Sequence, residues 1–528
     1  MSAKSEGRVE RGPWNSAFEE MILMSNSTGS AIPRRQFVKT GMGFAAAAAV
    51  APLAGELVAQ PASPASNRQT IGIQIGAISF VDEGTDQVLD LLVERGAVNT
   101  LFLTTFTYGR GLAGRQIPGQ PFPDHGVQES DETSFHGGNY ATPHPEFYGN
   151  TVLKQTRAPD HGQLDILEEV LPKAKKRGLK VFCSCEDVWN SSVAGVQEVV
   201  EVDLHGRKTG GLCLFHPDVR QFWMGLVQDY CKSYDIDGIL FFNERNGPLL
   251  NALGASHAQN IASSRVTCFC EHHQTAARER GIDFQRAKEG YRKLDEFVQA
   301  ALTNQRPADG YFVEFWRLLV EFPEILLWDK LFDYGKHRVL QEIHDTVKGI
   351  RSNLQVGFHI EHVNSFNPIF RATRSYSELA AKADFLKIVV YNNCGGERYA
   401  QFIRNVGATV FRDVPPGDLL NFNNHLLNYE HEAGLADLAA AGLSPDYVAR
   451  ETRRALAGVQ GKSKIYPGID IGIPTGKNSR KAAPEDTYGA VMAALKAGAD
   501  GLILSRKYSE MRLDNLAAAG RAVREFKI

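Results

Sequence analysis

Eight short apolar runs of β type, each followed by an amphipathic helical run, constrain this chain more than any other feature. The strand candidates are Ile71 to Phe80, Asn99 to Thr104, Lys180 to Glu186, Asp237 to Asn243, Gln355 to His362, Phe385 to Asn392, Ile465 to Ile471 and Gly501 to Ser505. Helical patterns alternate with them: Asp86 to Arg95, Leu164 to Arg177, Val219 to Ser233, Gly310 to Ile350, Tyr376 to Ala383, Pro445 to Val459, Pro484 to Ala497 and Arg512 to Glu525. Glycine follows helical runs where the chain must turn, at Gly178 and Gly498. Strand–helix alternation argues for a parallel sheet covered by helices. Eight such units predict a TIM (β/α)8 barrel. A doubly wound open sheet is the alternative, and no G-x-G-x-x-G follows the first strand to favour it.

Two long excursions interrupt the rhythm. Phe106 to Gln163 follows the second strand and Arg245 to Ala308 the fourth. In a barrel, segments after strands lie on the C-terminal face, where active sites are built.

Ahead of the first strand, residues 33–39 read P-R-R-Q-F-V-K. The run resembles the twin-arginine signal of bacterial exported proteins. Gly41 to Gly55 follows, Ala-rich and shorter than the roughly 20 apolar residues a bilayer span needs; it fits a signal h-region. Residues 59–66 are rich in Pro, Ala and Ser. The expected organisation is therefore a signal peptide and linker over residues 1–66 and a catalytic barrel over 67–528. The resemblance implies export by the twin-arginine translocase and a periplasmic or secreted product with no membrane anchor in its mature form. A net charge of -3, a pI near 6.6 and the lack of a basic stripe argue against a nucleic-acid partner. Seven cysteines in a chain of 528 residues do not suggest a disulfide scaffold. They read as buried thiols or metal ligands.

The segment from Asp237, D-G-I-L-F-F-N-E-R, ends an apolar strand in Asn243-Glu244. A carboxylate at the C-terminal tip of a barrel strand is placed for acid–base work. The run resembles the fourth strand of barrel glycoside hydrolases, in which an Asn-Glu pair ends the strand. That resemblance implies Glu244 as general acid/base acting on a carbohydrate, with Asn243 beside the substrate. Phe242 on the same face is expected to raise the carboxyl pKa. The alternative is a Glu that caps the next helix or pairs with Arg245. A second carboxylate comes from Asp470 at the seventh tip or Glu361 at the fifth. The resemblance implies a nucleophile at the seventh strand, usually Glu, where this chain has the shorter Asp. Alternation puts Gly357, His359 and Glu361 on one face.

Tyr391-Asn392, Arg506-Lys507, Glu186, Trp189 and His359 crowd other strand tips. Aromatic faces with convergent hydroxyl-binding groups suit a sugar. His125, His136, His144 and His161 are expected to line the mouth or pack within their loop. Cys268-x-Cys270-x-x-His273 offers three ligands where structural zinc wants four; Cys183 or Cys185 could complete the set, and inert thiols are the alternative. No cofactor is required by acid–base chemistry. The expected function is an exported glycoside hydrolase. The alternatives are a metal-dependent sugar isomerase or epimerase using Glu186, Glu244, His359 and Asp470, and a non-catalytic glycan-binding barrel.

Overall fold

The computed structural model describes residues 69–526, apart from 132, 263 and 264; the expected signal peptide and linker lie outside the described residues. Eight parallel strands form the sheet: β1 Thr70–Gly76, β2 Thr100–Thr107, β3 Lys180–Glu186, β4 Gly238–Phe242, β5 Gln355–Ile360, β6 Phe385–Val389, β7 Lys464–Asp470 and β8 Gly501–Ser505. Neighbours pair in chain order, and β1 pairs with both β2 and β8, which closes the barrel. The chain is an α/β TIM barrel, as its alternation predicts.

The outer helices are α1 Thr85–Gly96, α2 Ile166–Lys176, α3 Pro217–Ser233, α4 Glu324–Ile350, α5 Tyr376–Ala380, α6 Pro445–Val459, α7 Pro484–Lys496 and α8 Leu513–Glu525. Their starts are chemically marked. Asp165 accepts from the amides of Leu167 and Glu168 ahead of α2. Ser444 accepts from Tyr447 ahead of α6, with Pro445 in the first helical position.

Strand alternation sends one set of side chains into the lumen. Phe102, Phe182, Leu240, Phe242, Phe385, Tyr466 and Ile503 pack there as one buried cluster, each large apolar side chain contributing about 1.5–3 kcal/mol. Gly357 on β5 leaves the room that the Phe385 ring fills; a methyl group there would collide with it. This apolar plug forms the floor beneath the polar strand tips.

Between β2 and α2, residues 108–165 hold little more than a short helical turn, a two-residue strand and a 3-10 turn. Between β4 and α4 lie the helices Pro248–Ala252, Glu271–Glu279, Phe284–Leu302 and Tyr311–Glu321. Two further excursions carry less obvious patterns. Residues 187–216 hold an antiparallel pair, Val200–Val202 with Lys208–Leu212. Residues 390–444 hold the helices Asn392–Gly407 and Pro416–Leu427. The helix expected from Gly310 to Ile350 is two helices. They break at Phe322-Pro323, where proline has no amide to continue the ladder.

Candidate active site and a cysteine–histidine cluster

Glu244 stands two residues beyond the end of β4, above Phe242, and its side chain is 58% exposed. His359 of β5 lies across from it, buried, with Nε2 2.5 Å from Glu244 Oε1. The His359 ring rests 4.7 Å from that of Phe242. Burial and the nearby Lys387 ammonium keep this imidazole below its ordinary pKa. It is therefore neutral, carrying its proton on Nε2 to donate, while Nδ1 has no partner. Desolvation resists the charge on Glu244, but the His359 hydrogen bond, with Arg398 and His257 beyond it, outweighs that and holds the carboxyl below its usual range. This corrects the expectation that Phe242 keeps Glu244 protonated. Arg245, the expected alternative partner, turns away to Asp187 at 2.6 Å and Glu201 at 3.1 Å. Asn243 donates to Asp187 at 2.9 Å.

Glu186 ends the neighbouring strand β3, with Cα in register with Phe242. Its carboxylate accepts from the Thr107 hydroxyl of β2. Gly109 is needed beside it, because a Cβ there would lie 2.6 Å from Glu186 Oε2. Burial pushes the Glu186 pKa up to about 7 against the Thr107 bond, and the Glu244 charge pushes the same way. The two carboxylates thus sit at adjacent tips with opposite protonation preferences.

Beneath them lies Lys387 of β6, fully buried. Its ammonium donates to Gln74 of β1 and, at 2.8 Å, to the Tyr391 hydroxyl, and it lies 5.3 Å from the Phe242 ring centre. Ser505 of β8 donates to the same Gln74 at 2.7 Å. Burial lowers the Lys387 pKa to about 7. Arg398, on the helix Asn392–Gly407, donates to His362 Nδ1 at 3.2 Å. Lys387 was legible as the one charge in F-L-K-I-V-V. Thr107, Gln74 and Arg398 carry no comparable signal. A cavity of about 320 Å³ adjoins Glu244, lined by Glu201, Arg245, Asn246, Arg265 and Phe332 among others.

Several expected residues face elsewhere. Asp470 is fully buried; its oxygens accept from the amides of Cys394 at 3.1 Å and of Gly472 and Ile473 at 3.0 Å. Glu361 does not share the inward face with His359. The strand ends at Ile360, freeing the next residue from alternation, and Glu361 pairs with buried Lys336 of α4 outside the barrel. Lys507 is spent on the carbonyls of Gly114 at 2.6 Å and Arg110 at 3.2 Å. Arg506 pairs with Glu510. Asn392 is buried in the first turn of its helix. Trp189 packs on Phe222 and Phe106, ring centres 4.9 and 5.3 Å away, and bonds Asp187. Of the loop histidines, His125 bonds Glu83 and the Met511 carbonyl, His144 bonds Asp229, His161 packs against Tyr140 and His136 is exposed.

Three of the cysteines gather around a histidine. Cys213, Cys268, Cys270 and His273 place their ligand atoms within 4.8 Å of one another. Cys213 Sγ is 3.4 Å from both Cys270 Sγ and His273 Nδ1. A tetrahedral zinc with Zn–S near 2.3 Å has ligand–ligand edges of about 3.8 Å, so the set fits such an ion. The fourth member is Cys213, at the end of the excursion after β3. Cys183 and Cys185 lie within β3 itself, and Cys185 contacts Thr105 instead. Glu186, Glu244, His359 and Asp470 are not among the metal-compatible groups of the described residues.

No family model and no curated protein matches the sequence. Solved glycoside hydrolases resemble it in structure. One is the PgaB glycoside hydrolase domain from Bordetella bronchiseptica, with a TM-score of 0.46 and 11% identity over 87% of this chain and 98% of that one. Others are α-L-fucosidase isoenzyme 2 from Paenibacillus thiaminolyticus (0.46, 12%, 87% and 49%) and a β-galactosidase from Halorubrum lacusprofundi (0.48, 12%, 87% and 58%). The chain spans about half the length of the last two. No helix among the described residues is long and apolar enough to cross a membrane.

Proposed function

We propose that the protein is a glycoside hydrolase in which Glu186 is the proton donor and Glu244 the ionised carboxylate. The observation that carries this is the pair of strand-tip carboxylates whose surroundings drive their protonation apart, the general signature of an acid and a base in one site. Glu186, protonated up to about pH 7 by burial, gives its proton to the departing glycosidic oxygen. Glu244, held charged by His359 and open to the cleft, either bonds the anomeric carbon or takes a proton from the water that does. The distance between the carboxylates across bound sugar selects between these, and the anomer first released reports it. Lys387, Gln74 and Ser505 form a polar floor that orients Tyr391, and Asp470 positions the loop after β7.

The same proposal assigns Cys213, Cys268, Cys270 and His273 to a structural zinc ion joining the excursions after β3 and β4. It also assigns residues 33–55 to export, with a periplasmic or secreted destination; lysines in place of Arg34 and Arg35 are then expected to keep the protein in the cytoplasm.

The test is Glu186→Gln against a panel of nitrophenyl and unactivated glycosides. General acid assistance is worth about 10²–10⁴-fold, so turnover falls by that much on unactivated substrates and recovers on nitrophenyl ones. Wild-type activity falls as pH rises through about 7, where Glu186 loses its proton, and that limb disappears in Glu186→Gln. Glycan binding without turnover by the wild type would favour the non-catalytic barrel instead.

A further inference from the structure

The helix Tyr311–Glu321, in the excursion after β4, is apolar on both sides. Its inner face buries Tyr311, Phe315, Leu318 and Leu319. Its outer face carries Phe312, Val313, Trp316 and Val320, exposed by 49, 46, 58 and 69%. At 100° per residue these four span about 100° of arc, one continuous stripe. Leu326 and Leu327 in the first turn of α4, just past Pro323, are exposed by 46 and 48%. Two apolar faces on one helix, parted by the charges of Glu314, Arg317 and Glu321, leave the outer one largely uncovered by the described residues.

We infer that this stripe is the contact between two copies of the chain, a symmetric dimer built by packing Tyr311–Glu321 of one copy on the same helix of the other. Area supports a protein partner. With side chains of about 150–250 Å² each, the exposed fractions of these four residues and of Leu326 and Leu327 sum to roughly 500–800 Å², at or above the top of what a monomer shows in one patch. A standard interface takes about 800 Å² from each partner, some 65% of it apolar in homodimers, or about 520 Å². The stripe together with Leu326 and Leu327 supplies that share.

Charge argues against a membrane as the occupant. From Asp309 to Glu324 there are four acids and a single base, Arg317, and Arg317 is already paired with Asp309 at 2.5 Å and with Glu314. An acidic rim repels an anionic lipid surface, which draws basic rims. A two-fold interface also needs a patch complementary to itself, which an unbroken apolar stripe is.

Sedimentation velocity on the full chain over a concentration series tests this. The wild type is expected at twice the 58.2 kDa chain mass. Trp316→Glu combined with Val320→Glu is expected at one chain mass, with far-ultraviolet circular dichroism unchanged because neither side chain packs within the chain's own core. Val320→Asp alone is expected to raise the dissociation constant at least tenfold. Val81→Glu, at an exposed valine elsewhere, leaves the dimer intact. A wild type that stays monomeric at every concentration overturns the inference. So does a dimer that survives the double substitution, or a monomer that pellets with phosphatidylglycerol vesicles.

Discussion

The tips of β4 and β7 both end in a carboxylate pointing up from the same barrel, yet they are built for different ends. Glu244 leaves its strand with one oxygen on a neutral imidazole and most of its side chain in the cleft. Asp470 is enclosed, and three backbone amides occupy its oxygens. Position at a strand end is thus common to an accessible and an enclosed carboxylate. What separates them is where the lone pairs go. A carboxylate that accepts several amide bonds holds a loop; one with free lone pairs can meet a substrate.

That contrast can be broken most sharply by paired amide substitutions. Glu244→Gln should lower kcat/KM by about 10²–10⁴-fold, the range of general acid–base assistance. Asp470→Asn should cost far less activity per folded molecule; equal losses would erase the distinction between the tips. Glu361→Gln sharpens it from the opposite side. It leaves Lys336 buried without its partner, and loss of one member of a buried pair costs about 3–5 kcal/mol of stability. Denaturant unfolding should record that drop while turnover by the folded fraction stays near wild type. Asp470→Asn replaces an acceptor oxygen with a donor facing an amide, an unsatisfied contact worth about 1–3 kcal/mol, readable in the same experiment. The smallest effect concerns the cysteine–histidine cluster. If the proposed zinc is bound, removing it with a chelator should lower the melting temperature and leave Glu186→Gln and the wild type in the same activity ratio as before, since neither carboxylate belongs to the cluster. A preparation without stoichiometric metal would end the zinc assignment.

Much of the fold could be read from the chain because barrel strands and their helices announce themselves locally. β3, β8 and α6 match their expected limits to the residue. The errors lie where local pattern stops. Alternation carried one residue past Ile360 reverses the direction of Glu361. Pro323, inside an apolar run, divides one long helix into two. The helix at Asn392 opens N-N-C-G-G, so glycine hides it. Of the site, Glu244, His359 and Glu186 could be found from their strand ends. Their protonation could not, because it depends on Thr107, Arg398 and His257, brought from other units. Cys213 completes the cysteine–histidine cluster from 55 residues before Cys268, a separation no spacing rule reaches.

Lys507 has one further consequence. Its ammonium ties the last strand tip to carbonyls near residue 110, almost 400 positions earlier, in the same stretch that begins beside Glu186. During synthesis those carbonyls wait for Lys507, although Arg115 in the same stretch is already held by Asp82 of the first unit. That tie is thus made last, and a chain missing its final few dozen residues would lose it together with the closing strand.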